Sequence, residues 1–483
     1  MKREIREDRR RFLGQLGATL AGGTALAMFP QFDLVSRALA ATTPPASGHR
    51  ALVCIFLLGG NDSFNMLIPH VQAEHDVYLA SRGGVYDPAS NSQGLGIARS
   101  QLLQINDVAG KAWGLHPGCA GLKTLFDAGE LAFLANVGTL VQPVTKDEII
   151  ARTARLPPSL YSHNDQQRLW MRGHSESRNA GFGWGGMCAD VLRNPQSTGL
   201  PGLSPSITVS GTNLFQAGMQ TSPYGMDSNG PQLLRRFSGA SQADLIRQQA
   251  LEALMQRDYS PVMQSYYGMV GEGAMSIGGA LVKALDPANG GDIATVFPTD
   301  NRLAAQLRMI ARTIKASRTG AINHHRQVYF ASMGGFDTHD NQMGANGHAR
   351  LLTQLSEALL AFRHALQEIG ALNDTVSFTM SDFGRTLNSN GNGTDHAWGG
   401  VQMMMGGASA SGGALRGRQV WGQYPLLELD GNQAIQRGRL IPTTSNNQMG
   451  ATLAKWLGVD GSDLPTIFPG IGNFSSSTLG FLG

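Results

Sequence analysis

The chain has 483 residues, 42% hydrophobic and 15% charged, with a formal net charge of +3. That is ample for a large core, in one elaborated domain or two. Residues 1–40 hold seven Lys/Arg and four Asp/Glu, and the rest holds 31 of each sign, so no basic footprint for nucleic acid remains beyond the first forty residues.

Those forty residues read as an export signal. They carry Arg9-Arg10-Arg11-Phe12-Leu13, a weakly apolar run from Leu16 to Met28, and a small-x-small end at Ala38-Leu39-Ala40. The paired arginines point to the twin-arginine route, hence to the twin-arginine translocase as a transient partner and to a periplasmic or secreted location. The expected domains are the signal at 1–40 and one α/β domain at 41–483. Beyond the signal no apolar run reaches the roughly 18–20 residues of a spanning helix. Cys54, Cys119 and Cys188 form no disulfide framework. Cys54 lies in an apolar run and reads as core, and Cys119 and Cys188 can pair in an oxidising compartment.

In chain order, Ala51 to Leu58 reads as a first central strand buried on both faces. It ends in Gly59-Gly60-Asn61-Asp62, where glycines let the backbone turn sharply. Tyr78 to Gln104 reads as loop. A helix follows Leu115-His116-Pro117 through Phe126, and Leu131 to Val137 is a second buried strand. Tyr161-Ser162-His163-Asn164-Asp165 reads as a helix start with Ser162 as N-cap. A nucleophilic Ser can also sit there. Gly181 to Leu192 leads into another helix, and Ser206 to Ser210 is a short strand. Residues 211–300 read as an insertion that shapes substrate access, helical from Gln242 to Met255.

The stretch 302–318 has Leu303, Leu307, Ile310 and Ile314 on one helical face. Gln327 to Met333 is the next strand and ends in Gly334-Gly335-Phe336-Asp337-Thr338-His339. A helix spans His348 to Leu366. Thr375 to Met380, too short for a helix of its own, reads as a buried parallel strand. It leads into Ser381-Asp382-Phe383-Gly384-Arg385, then Asp395-His396. A helix spans Asn447 to Leu457. Strands alternating with helices predict an α/β fold with a doubly wound, mostly parallel sheet.

Such sheets place their chemistry past the carboxyl ends of the strands. There the sequence collects Asn61 and Asp62, then Asp337 and His339, then Asp382, Arg385, Asp395 and His396. Oxygen and imidazole donors without thiolates suit Zn, Mn, Mg or Ca. Two ions about 4 Å apart can hold the attacking and leaving oxygens of a phosphoryl or sulfuryl displacement. Taken singly, each residue also has a structural role open to it: Asp337-Thr338-His339 as a helix cap, Asp382 with Arg385 as an ion pair, His396 as a packed core histidine.

These segments carry a resemblance. RRRFLGQLG, LVCIFLLGGNDSFN, LHPG, YSHNDQQRLW, GGFDTHDNQ, TMSDFGRT, GTDHAWGG and GRLIPTTSNNQ, in this order, resemble the exported bacterial proteins of the domain of unknown function 1501 family. That family looks like a branch of the alkaline phosphatase and sulfatase superfamily. The resemblance implies an alkaline-phosphatase-like core, metal ligands at strand ends, and a nucleophile at a helix start. Asn61 or Asp62, Asp337, His339, Asp382 and His396 match the metal-binding positions, and Ser162 the nucleophile's. The chain departs from the superfamily where Phe383 follows Asp382 in place of His, and where the spacing from Asp337 to His339 is shorter than in the phosphatases. One metal site is then incomplete, or the site holds a single ion.

The expectation is therefore an exported metal-dependent hydrolase of phosphate or sulfate esters. Asp337, His339, Asp382 and His396 bind one or two divalent ions, with Asn61 or Asp62 completing the shell. Ser162 or a metal-bound water attacks a small-molecule ester, and Arg385 neutralises charge. The alternative is a non-catalytic binding or assembly protein on a degenerate hydrolase fold, with an unknown periplasmic partner. A serine esterase using Ser162 and His163 fits worse, because adjacent helical residues do not face each other.

Overall fold

The computed structural model describes residues 48–176, 181–192, 203–232, 241–256 and 275–483. The expected export signal lies outside them. So do 233–240 and 257–274 of the expected insertion.

Among the described residues, a nine-stranded sheet organises the chain. Its strands are β1 (Arg50–Leu57), β2 (Leu131–Gly138), β3 (Ser206–Thr208), β4 (Tyr224–Gly225), β5 (Arg326–Met333), β6 (Thr375–Ser381), β7 (Gly400–Gly406), β8 (Val420–Gly422) and β9 (Thr444–Ser445). The order is β8-β2-β7-β6-β1-β5-β3-β4, with β9 also paired to β2. Only β7 runs against the others, antiparallel to both β2 and β6. The alternation of strand and helix thus gives the expected doubly wound, mostly parallel α/β sheet. β4 comes from the expected insertion, so that segment extends the main sheet.

Strand β1 is central, paired in parallel with β5 and β6. Its side chains divide by the two-residue strand period. Val53, Ile55 and Leu57 enter one core, and Leu52, Cys54 and Phe56 enter the other. Helices α1 (Ala120–Asp127), α4 (Arg302–Arg318) and α5 (His348–Glu368) pack on the first face. Helices α2 (His163–Arg172), α3 (Trp184–Val191) and α6 (Asn446–Leu457) pack on the second. In β6, Val376, Phe378 and Met380 join the second core, while Thr375, Ser377, Thr379 and Ser381 point the other way and are buried. Ser381 binds the Leu57 carbonyl and receives the Asn61 N–H, tying β6 to the loop after β1.

Three features differ from the sequence reading. The stretch read as loop after Tyr78 contains β structure, because Leu103–Asn106 joins Leu67–Pro69 and Ala112–Leu115 in a small separate sheet. Strand β7 follows the loop that bears His396 and was not read as a strand. The third concerns the cysteines, which are all free and buried. Cys119 belongs to the core on one face of the sheet and Cys188 to the core on the other, so the sheet separates them. Among the described residues, no helix is long and apolar enough to cross a membrane.

Candidate metal centre

The loops after β1, β5 and β6 meet at the carboxyl end of the sheet. Their approach depends on Gly59 and Gly60, both with positive φ, at 113° and 87°. A Cβ on Gly59 would lie 2.3 Å from the Asp337 nitrogen, and one on Gly60 would lie 2.6 Å from the Phe383 ring. The backbone of Gly59 then works in two directions. Its N–H donates to Asp382 Oδ1 at 3.2 Å, and its carbonyl accepts from Arg385 Nη1 at 3.2 Å.

Helix α2 adds the fourth piece. Ser162 is its N-cap, with the hydroxyl accepting from the Asp165 N–H at 3.5 Å. This fixes His163 as the first helical residue. His163 Nδ1 donates to Asp382 Oδ2 at 2.6 Å, and Gln167 Nε2 donates to the same oxygen at 2.9 Å. The ring packs between Phe383 and His396, with centroids 4.9 and 4.4 Å away. His163 Nε2 then lies 3.4 Å from Asp337 Oδ2.

His339 and His396 repeat the arrangement. His339 Nδ1 donates to Asp395 Oδ1 at 3.0 Å, and His396 Nδ1 donates to the Tyr161 carbonyl at 2.8 Å. Their Nε2 atoms are 2.8 Å apart and lie 3.1 and 3.3 Å from Asp337 Oδ1. Ligand atoms of His163, Asp337 and His396 all fall within 4.8 Å of one another.

The proton positions follow from these partners. Each Nδ1 donates to a carboxylate or carbonyl, and a ring held in that tautomer offers the lone pair of its Nε2 to a cation. Three Nε2 atoms therefore converge on one carboxylate. Arg385 Nη1 contacts that carboxylate at 2.8 Å, on Oδ1. A cation among them would take the Nε2 lone pairs and the carboxylate together. Histidines whose other nitrogen is held by a carboxylate or carbonyl are the usual form of metal ligands. His163, Asp337 and His396 fit a divalent ion, a nitrogen-rich donor set of transition-metal type, and His339 Nε2 stands beside them at 2.8 Å from His396 Nε2.

The electrostatics agree. Burial pushes the Asp337 carboxyl up, but the Arg385 hydrogen bond and charge outweigh it and hold the group below the usual range. Asp395 is likewise held low against burial, by Asn390, His339 and Arg437. Burial lowers His396 and favours its neutral form, against the pull of the Tyr161 carbonyl.

Of the residues expected from sequence, the structure brings Asp337, His339 and His396 together. Asp382 reaches the cluster with both oxygens already accepting N–H groups, and it holds His163. Arg385 is fully buried, its donors spent on Asp337, the Gly59 carbonyl and Thr394. It is therefore not open to a substrate. Asp62 turns inward, where Arg82 binds both its oxygens at 2.7 and 3.1 Å and Gln342 adds a third bond at 2.7 Å. Asn61 turns inward too, its Oδ1 accepting from His348 Nε2 at 2.8 Å. Ser162 caps its helix. Sequence reasoning did not place His163 in the metal set. Its signal was an imidazole at the first position of a capped helix, and it was read only as a neighbour of Ser162. An open groove of about 690 Å³ lined by Ala280, Lys283, Lys315 and Thr319 shares no residue with the cluster.

The family model described as "Protein of unknown function (DUF1501)" matches residues 49–464. The chain belongs to that family. No curated protein matches this DUF1501 chain. Solved structures similar to it include the lipoteichoic acid synthase LtaP from Listeria monocytogenes, at 8% identity over 91% of this chain and 81% of that one, TM-score 0.33. PsFucS1 sulfatase from Pseudoalteromonas sp. is 11% identical over 90% and 72%, TM-score 0.33. The C-terminal periplasmic domain of EcEptC from Escherichia coli, in complex with Zn, is 8% identical over 75% and 74%, TM-score 0.29. The functional reading of this chain rests on its own side chains.

Proposed function

We propose that the chain is an exported, metal-dependent hydrolase of phosphate or sulfate esters with a single transition ion. His163, Asp337, His339 and His396 would hold it. The observation that carries this reading is the convergence of three Nε2 atoms on the Asp337 carboxylate. Three nitrogens to one carboxylate favour Zn or a neighbouring transition ion over Mg and Ca, which take oxygen ligands. When bound, the ion would neutralise developing negative charge and polarise an ester oxygen.

The surrounding residues have supporting roles. Asp382 holds the donor tautomer of His163, and Arg385 holds Asp337. Because the Ser162 hydroxyl serves the helix end, water is the attacking group in this reading. Arg437 and Arg439 make the rim of the cluster cationic, as an anionic ester requires. The leader at 1–40 would be removed during twin-arginine export, leaving one domain from 41 to 483 in the periplasm or outside the cell.

The engagement of Arg385 inside the protein favours a second reading, a metal-binding assembly or binding protein without turnover. One experiment separates the two. Zinc-loaded protein is offered p-nitrophenyl phosphate and p-nitrophenyl sulfate, before and after chelation, beside Asp382→Ala. Chelation-sensitive cleavage, lost with the metal in the variant, supports the hydrolase. Bound zinc without cleavage of either ester supports the second reading. A fold alone does not decide between them.

A further inference from the structure

We propose that Arg437 and Arg439 are positioning residues of the histidine cluster, acting through Asp395, Tyr161 and the His396 backbone. This rests on the single-ion reading above. Both arginines belong to one hairpin, in which Ala434–Ile435 pairs antiparallel with Arg439–Leu440. Its turn holds two successive residues in the left-handed region, Arg437 at φ 66° and Gly438 at φ 69°. A non-glycine residue is uncommon there, and such strain persists only where the surroundings impose it. The surroundings are the site loop itself. The Gly438 carbonyl accepts from the Leu387 N–H at 3.3 Å, and a Cβ on Gly438 would lie 2.6 Å from Leu387 Cβ.

From that anchored turn, each arginine reaches one histidine. The Arg437 guanidinium binds Asp395 Oδ2, leaving Oδ1 to accept from His339 Nδ1 and Asn390 Nδ2. Asp395 is thus held from both sides, and the His339 ring is aimed at Asp337. Arg439 Nε donates to the His396 carbonyl at 2.9 Å. Its guanidinium also lies 4.7 Å over the Tyr161 ring, and the Tyr161 carbonyl is the acceptor for His396 Nδ1. The hairpin therefore clamps two of the three imidazoles without contacting the ion. Partners of this kind set ligand orientation, and losing one costs roughly 10–100-fold in metal affinity.

The test is zinc affinity of the full chain, measured by chelator competition, for wild type, Arg437→Ala, Arg439→Ala, Arg437→Lys and His396→Ala. Melting of the metal-free forms is recorded alongside. The expected result is roughly 10–100-fold weaker zinc binding in both alanine variants, unchanged metal-free melting, and recovery of most of the affinity in Arg437→Lys. Affinity within about twofold of wild type in both alanine variants overturns the clamp. So does an Arg437→Lys variant as weak as Arg437→Ala; if the alanine variants fail to fold, Arg437→Lys against wild type decides instead, retained affinity supporting the clamp and a loss of roughly 10-fold or more overturning it. Equal affinity of wild type and His396→Ala overturns the metal reading itself, and the clamp with it.

Discussion

Asp62 and Asp337 each follow an apolar strand and a short turn, and in sequence they look alike. What separates them is a distant partner. Arg82 meets Asp62 with both side chains fully buried, whereas Asp337 keeps its outer edge open to three imidazoles. No local spacing carries that information, because Arg82 lies twenty positions on and arrives from the end of the helix Gln72–Ser81. Removing it leaves a buried carboxylate without its cation, so Arg82→Met is expected to cost about 3–5 kcal/mol. Denaturant unfolding of the metal-free protein reads this directly. Gly59→Ala forces an L side chain into positive φ and against the Asp337 backbone. It should lose more than about 1 kcal/mol in the same assay and weaken zinc binding as well. Behind the site, burial pushes His116 down to about 3 and His348 down to about 4. Both stay neutral in the fold, while the unfolded chain takes up protons near the ordinary histidine value of about 6.5. Stability is then complete above about pH 6.5 and falls as the pH drops toward 4, by up to about 1.4 kcal/mol per pH unit for each histidine. Unfolding curves across that range should show the slope, and His348→Gln should flatten it.

At the scale of elements, the sequence marks the central strands and the flanking helices because their signals are local. Apolar runs of seven or eight residues give β1, β2 and β5, and the three-to-four spacing of leucines and isoleucines gives α4. Strand β7 escaped because Val401-Gln402-Met403-Met404-Met405 is rich in unbranched residues that signal neither period strongly. The start of α2 was legible as a capped helix, yet the consequence of the cap was not. Ser162 fixes where the helix begins, and so decides that His163 points at Asp382 and Asp337. Ser162→Ala should therefore cost about 1 kcal/mol through the lost cap and leave zinc-dependent ester cleavage in place. Loss of all cleavage at unchanged stability would instead make Ser162 the attacking group.

For the whole molecule, the sheet brings three strand ends and one helix start to a common point from positions as far apart as 59 and 396. The residue types at each strand end were readable, and the resemblance to DUF1501 pointed to Asp337, His339 and His396, which the fold brings together. Their division into ion-facing residues and holders was not readable, since it depends on which oxygen each N–H reaches in three dimensions. The central claim is that His163, Asp337, His339 and His396 hold a single transition ion. Elemental analysis of the full chain after zinc loading and dialysis tests it most directly, beside His163→Ala and Asn61→Ala. About one equivalent is expected in wild type and in Asn61→Ala, and a clear loss in His163→Ala. No metal in wild type, or the same content with and without His163, would contradict the claim.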